Sequence, residues 1–205
     1  MVIPDHPSPS RWRWAVIALL VSVWLLASVL GGQASPQDRA AFGILYVEEH
    51  SWLVELAWLL TWLGDWLVLV PFTLMASAFL FLRQRRAEAV ALIVGSGLVR
   101  LLVLAQKGLV GRPRPEVEHW MMETSASFPS AHAANAAATY LLLAMLLGGG
   151  RTAVVGAVLL TVMVGASRII LGVHWPSDVI GGWAFGAATA LAVTSVVLRW
   201  RGARE

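Results

Sequence analysis

Six runs of mainly apolar residues, at about 14–31, 64–82, 87–106, 131–149, 152–168 and 178–198, constrain this chain more than any other feature of its sequence. Crossing a hydrocarbon core takes ~20 such residues, and a backbone in lipid must satisfy its own hydrogen bonds. The runs therefore predict an all-α, polytopic membrane protein with six transmembrane helices. Composition agrees: 58% of the 205 residues are hydrophobic and 13% are charged, whereas a soluble domain carries about a quarter. The length fits one membrane-embedded domain over 1–205. Run one follows Arg11 and Arg13 and precedes Gly32-Gln33-Ala34, but it is long for a signal peptide and reads as an uncleaved span. The absence of cysteine excludes disulfides, cysteine-ligated metals and thiol nucleophiles.

Residues 36–50 mix Phe42, Ile44, Leu45 and Val47 with Asp38, Arg39, Glu48 and Glu49, which predicts a helical segment lying in the outer interface. Residues 51–66 are apolar but carry Glu55 and Asp65. Joined to the next run they would exceed a ~30 Å core, so a break near Gly64-Asp65 is expected, with Asp65 as N-cap. Glu55 lines the pocket entrance, caps or pairs. Trp12, Trp14, Trp52, Trp66, Trp120, Trp175 and Trp200 sit near run ends, as interfacial anchors do.

Charge sets the orientation. Six crossings place Arg11, Arg13, Arg83, Arg85, Arg86, Arg151, Arg199, Arg201 and Arg204 on one side, which the positive-inside rule makes cytoplasmic, together with both termini. Small size and short loops suit a bacterial inner membrane. The basic residues form no stripe for nucleic acid. The remaining six, Arg39, Arg100, Lys107, Arg112, Arg114 and Arg168, belong to the opposite half, against that bias.

Three polar islands interrupt the apolar chain, and the topology brings them to one outer face. They are Lys107 to Pro115, Phe128-Pro129-Ser130-Ala131-His132, and Ser167-Arg168-x5-His174-x3-Asp178. Lys107, Arg114 and Arg168 are cations suited to phosphate oxygens. Ser130 opens a helix whose N-terminus attracts anions. Asp178, four residues beyond His174, can hold one imidazole nitrogen and leave the other as nucleophile or base. His132 can protonate a leaving oxygen. The set fits phosphoryl transfer.

The islands resemble the tripartite signature of the type 2 phosphatidic acid phosphatase superfamily, K-x6-R-P, P-S-G-H and S-R-x5-H-x3-D. Lys107, Arg114 and Pro115 match the first, Pro129, Ser130 and His132 the second, and Ser167, Arg168, His174 and Asp178 the third. Ala131 stands where the family usually has glycine, and its backbone N–H stays available. The resemblance implies a phosphohistidine on His174 supported by Asp178. It implies that His132 protonates the lipid oxygen and then activates water. Lys107, Arg114, Ser130, the Ala131 amide and Arg168 would cradle the phosphoryl group, with no metal or other cofactor. The expected substrate is a lipid phosphate or diphosphate held in the bilayer. Undecaprenyl diphosphate is preferred, with off-motif Arg112 meeting its second phosphate or merely a headgroup. Phosphatidylglycerophosphate, phosphatidic acid and lipid A phosphates are alternatives.

Other readings compete. Arg168 and Asp178 can form a structural pair at helix ends, Ser130 can be a plain helix cap, and His132 a satisfied interfacial histidine. A lipid-phosphate transporter or flippase needs the cations but not the histidines. A vanadate-dependent haloperoxidase shares the motifs but suits six spans poorly. Glu116, Glu118, His119 and Glu123 have no recognised metal-ligand spacing and read as a solvated loop. Gly182-x3-Gly186 and the alanine-rich start of run four predict close helix packing. Oligomeric state has no signal.

Overall fold

The computed structural model describes residues 11–48 and 50–203; the interfacial Glu49 and the cation Arg204 lie outside them. Among the described residues are eight helices and no strand: α1 (Arg11–Leu30), α2 (Pro36–Leu45), α3 (Trp52–Trp62), α4 (Trp66–Leu82), α5 (Arg86–Val110), α6 (Ala131–Leu146), α7 (Gly150–Ile170) and α8 (Pro176–Gly202). The six apolar runs coincide with α1 and α4 to α8. By length and apolar composition four of these suffice to cross a membrane: α1, α5, α7 and α8. The helices α3 and α4 qualify together but meet at a 41° bend. With 16 residues, α6 spans about 24 Å at the α-helical rise, short of a ~30 Å core. Hydropathy does not register where the backbone leaves the helix, and the run ends here in a glycine turn at 148–150.

The break before α4 lies where the apolar pattern gives way to Gly64-Asp65. Asp65 caps α4, accepting from the Leu67 N–H at 2.8 Å. A Cβ on Gly64 would collide with Val164 and press on the His132 backbone, so glycine lets this break sit directly against α6.

The centre of the bundle is the α6–α8 pair. Alanines cover the buried face of α6, and the glycines of α8 let the two backbones meet. A Cβ on Gly182 would come within 2.7 Å of the Ser130 carbonyl, and one on Gly186 would overlap the Ala134 carbonyl. Around this pair, α5 and α7 pack on α6, α1 leans on α8, and α3 lies along α7.

One end of the bundle gathers the C-termini of α5 and α7 and the N-termini of α6 and α8, bringing the three polar islands together. At the opposite end Glu88 is buried and pairs with Arg85 at 3.1 Å and Arg201 at 2.7 Å.

Two expectations change. Trp175 is no interfacial anchor: it is 5% exposed and its indole N–H donates to the Pro113 carbonyl at 3.1 Å. Asp38 does not face solvent from an amphipathic helix. It is buried, receives the Ser177 N–H at 2.9 Å and the Gly32 N–H at 2.5 Å, and so ties α2 to the start of α8.

Candidate active site

His174 sits in the short link between α7 and α8, 1% exposed. The first turn of α8 places Asp178 beneath it. Asp178 Oδ2 accepts the Trp175 N–H at 2.8 Å and lies 3.4 Å from His174 Nδ1. Ser127 completes the contact, its hydroxyl lying 3.3 Å from Nδ1 and donating to Asp178 Oδ2 in a very short bond. With its own hydrogen committed to the carboxylate, the Ser127 oxygen is an acceptor. Nδ1 therefore keeps its proton, and Nε2 carries the lone pair. Nε2 faces the Arg114 guanidinium at 3.4 Å. Burial, reinforced by Arg114, Arg168 and Lys107, pushes the imidazole well below its ordinary pKa, which keeps the ring neutral.

The cations converge on the same point. The Lys107 ammonium, in the last turn of α5, donates to the Ala126 carbonyl. Arg114 donates from Nε to the Ser125 carbonyl at 2.8 Å and from Nη1 to the Val173 carbonyl at 2.6 Å. Arg168 is wholly buried and donates to Thr61 Oγ1 at 2.7 Å. Glu123 bridges the two arginines, with Oε2 3.3 Å from Arg114 and Oε1 in a very short contact with Arg168. Burial acts to raise the Glu123 carboxyl, but Arg168 and Arg114 outweigh it and hold its pKa below the ordinary value.

Several buried atoms lack partners here, though polar groups in a protein interior are nearly always hydrogen-bonded. The Ser130 hydroxyl, at the N-cap position of α6, makes no capping bond, and it is orphaned together with Arg168 Nε and His132 Nε2. Asp65 Oδ2 stands 3.5 Å from His132 Nε2, close enough for charge attraction but outside good hydrogen-bond geometry. Ala131 begins α6 next to Ser130. The plain-cap reading of Ser130 fails, and so does the Arg168–Asp178 pair, because Arg168 turns to Glu123.

Asp178 pairs instead with Arg112, whose Nη1 donates to Oδ1 at 2.7 Å. Arg112 also donates to Ser177 Oγ at 2.9 Å and to the Ala27 and Ser28 carbonyls at 2.7 and 2.9 Å. It is 6% exposed, with Phe128 stacked 4.5 Å from it. Both terminal nitrogens are spent on protein acceptors, so its forked end does not await a second phosphate.

The PAP2 superfamily pattern matches residues 88–201, more than half of the sequence, and covers every one of these motif residues. The chain belongs to the PAP2 superfamily. It is 29% identical over 83% of its length to the phosphatidylglycerophosphatase B of Bacillus subtilis, covering 88% of that protein. It is 35% identical over 64% of its length to the decaprenylphosphoryl-5-phosphoribose phosphatase of Mycobacterium tuberculosis, covering 71% of it. The crystal structure of the Bacillus subtilis PAP2-type phosphatidylglycerolphosphate phosphatase superposes with a TM-score of 0.78 at 28% identity, covering 88% of this chain and 94% of that one. As a PAP2 member with phosphatase relatives along most of its length, this protein is a phosphatase-type hydrolase.

Within this PAP2 site, sequence reasoning had no signal for Ser127, which belongs to no motif, or for Asp65 as the neighbour of His132. Glu123 reads as a loop acid because only the fold carries it to two arginines. The loose acidic cluster does not gather: His119 contacts the Pro115 carbonyl at 2.8 Å while Glu123 turns inward. Ser167, a motif residue, points away and donates to the Val164 carbonyl at 2.6 Å. Glu55 pairs with His50 at 3.5 Å and lines an open cleft with Trp58 and Trp62.

Proposed function

We propose that this PAP2 protein works as one unit over 1–205, an integral-membrane lipid phosphatase that uses His174 as nucleophile. The observation that carries the reading is the alignment of a neutral His174 Nε2 with Arg114, taken with the unpartnered Ser130 hydroxyl and Arg168 Nε of the second and third motifs. The Nε2 lone pair attacks phosphorus, and the phosphorus–nitrogen bond forms as the bond to the lipid oxygen breaks. His132 gives that oxygen a proton. It then takes a proton from water, whose oxygen displaces His174 and releases inorganic phosphate. Lys107, Arg114, Ser130, the Ala131 amide and Arg168 stabilise the phosphoryl oxygens. Fixed cations supply the charge that a metal provides elsewhere, so turnover proceeds without one.

Phosphate binding requires Glu123 to leave the two arginines. Glu123→Gln, which keeps the shape but not the charge, is expected to tighten inhibition by inorganic phosphate several-fold. It should also lower the melting temperature in phosphate-free buffer, because two buried cations lose their anion, and added phosphate should restore it. Unchanged phosphate inhibition would show that Glu123 does not compete for the site.

The substrate is a lipid whose terminal phosphate is removed while a second phosphate stays behind. The relatives' names, for phosphatidylglycerophosphate and for decaprenylphosphoryl-5-phosphoribose, both describe lipids of that kind. The sequence argument for undecaprenyl diphosphate leans on Arg112, which is spent on Asp178, so phosphatidylglycerophosphate stands level with it. We place the protein in a bacterial inner membrane with six crossings, α3–α4 bending as one and a short α6 buried among its neighbours. The termini are cytoplasmic and the site lies on the outer face, a reading the arginine distribution supports.

Phosphate release by detergent-solubilised protein tests the reading. In a panel of undecaprenyl diphosphate, phosphatidylglycerophosphate, phosphatidic acid and a lipid A precursor, one or more of the lipids that keep a phosphate should be turned over faster than phosphatidic acid, undiminished by EDTA. Lipid binding without release from any of them would favour a transporter. Strong inhibition by chelation would overturn the metal-free chemistry.

A further inference from the structure

Arg100 lies inside the apolar α5, seven residues before Lys107. Its guanidinium lies 5.5 Å from the ring of Trp66, and no carboxylate pairs with it among the described residues. An arginine within a span normally pairs or lines a substrate path. Two clefts meet at this one. The outer is bounded by Asp65, Trp66, Leu104 and the catalytic candidate His132. The inner is walled by Leu69, Val70, Leu74 and Ile93, between α4 and α5. Arg100 and Asn135 line both. Asn135 stands one helical turn beyond His132 on the same face of α6, and its Oδ1 is buried with no hydrogen-bond partner. A rotated carboxamide would present its N–H to the same point. The polar pair therefore sits between the proton donor for the leaving oxygen and an apolar slot leading into the bundle.

We propose that Arg100 and Asn135 form a second phosphate subsite, which holds the phosphate retained by the lipid leaving group while the inner cleft takes the start of its hydrocarbon chain. This rests on the lipid-phosphatase reading and names its substrate class. The ligand chemistry is a phosphate ester one step along from the scissile phosphorus, in a prenyl diphosphate or in the phosphodiester of a glycerolipid. A guanidinium on that anion makes charge-assisted bonds that a one-phosphate lipid cannot match. The cation that recognises the second phosphate is then Arg100, on the membrane side of the site, and not Arg112.

Binding tests this without turnover. Protein carrying His174→Ala is titrated with farnesyl methylenediphosphonate and with farnesyl phosphonate, with and without Arg100→Gln. The diphosphonate should bind tighter by about 10- to 100-fold, and Arg100→Gln should remove most of that advantage. Asn135→Ala should remove part of it and serves if the arginine variant does not fold. Equal affinity for the two ligands, or an advantage that survives both substitutions, overturns the subsite. In the His174 enzyme, kcat/KM for undecaprenyl diphosphate and for phosphatidylglycerophosphate is compared with that for phosphatidic acid. Arg100→Gln should lower one or both ratios, and which ratio falls identifies the source of the second phosphate. Absence of phosphate release from every lipid would defeat the phosphatase reading, while the binding comparison would still decide the subsite.

Discussion

Phosphate release from every lipid substrate is expected to fall by about 10⁴-fold or more when His174 is replaced by alanine. The expectation rests on geometry as well as on the motif. Ser127 and Asp178 commit Nδ1 to carrying the proton, leaving Nε2 as the lone-pair atom that faces Arg114. The variant should stay folded, because alanine at 174 leaves Asp178 with its bonds from Arg112 and the Trp175 N–H. Rapid quench with labelled lipid should trap an acid-labile phosphoprotein in the parent and none in the variant. Because burial and the neighbouring cations depress the His174 pKa, protonation of the nucleophile should cut activity only below the ordinary histidine range. Turnover within a few-fold of the parent, or an unchanged phosphoprotein, would sink the phosphohistidine route.

Replacing Arg112 with methionine is expected to destabilise the protein by roughly 3–5 kcal/mol, the cost of leaving one member of a buried ion pair alone. Asp178 is fully buried and would lose its only cationic partner among the described residues. The Ala27 and Ser28 carbonyls at the end of α1 would lose their donor as well. With Asp178 free to turn, His174 should lose its orientation, so kcat should drop more than KM changes. Adding Asp178→Asn to Arg112→Met should recover part of the stability, because the uncompensated charge is gone, while activity stays low. Melting curves in detergent and phosphate release from one lipid are sufficient. Wild-type stability in the single variant would mean that the ion pair contributes little, and the assignment of Arg112 as a positioning residue would fall with it.

The apolar runs determined the helices, since a hydrocarbon solvent leaves a backbone few choices. The three motifs, with their order and spacing, determined the phosphatase family and singled out the cations and histidines proposed to carry its chemistry. Those signals are local or covalently spaced, so they survive in one dimension. Pairings between remote residues do not, and only the tertiary structure decided them. Arg112 stood open as a ligand for a second phosphate or merely for a headgroup until the fold set Asp178 against it, 66 positions along the chain. Glu123 and Ser127 carry no signal until the loop after α5 folds over the start of α8. Arg100 reads as a charge against the topological bias until α4 and α6 close two clefts around it. In each case the physical reason is the same: a buried charge takes its role from the partner that compensates it, and that partner is chosen by packing rather than by sequence separation.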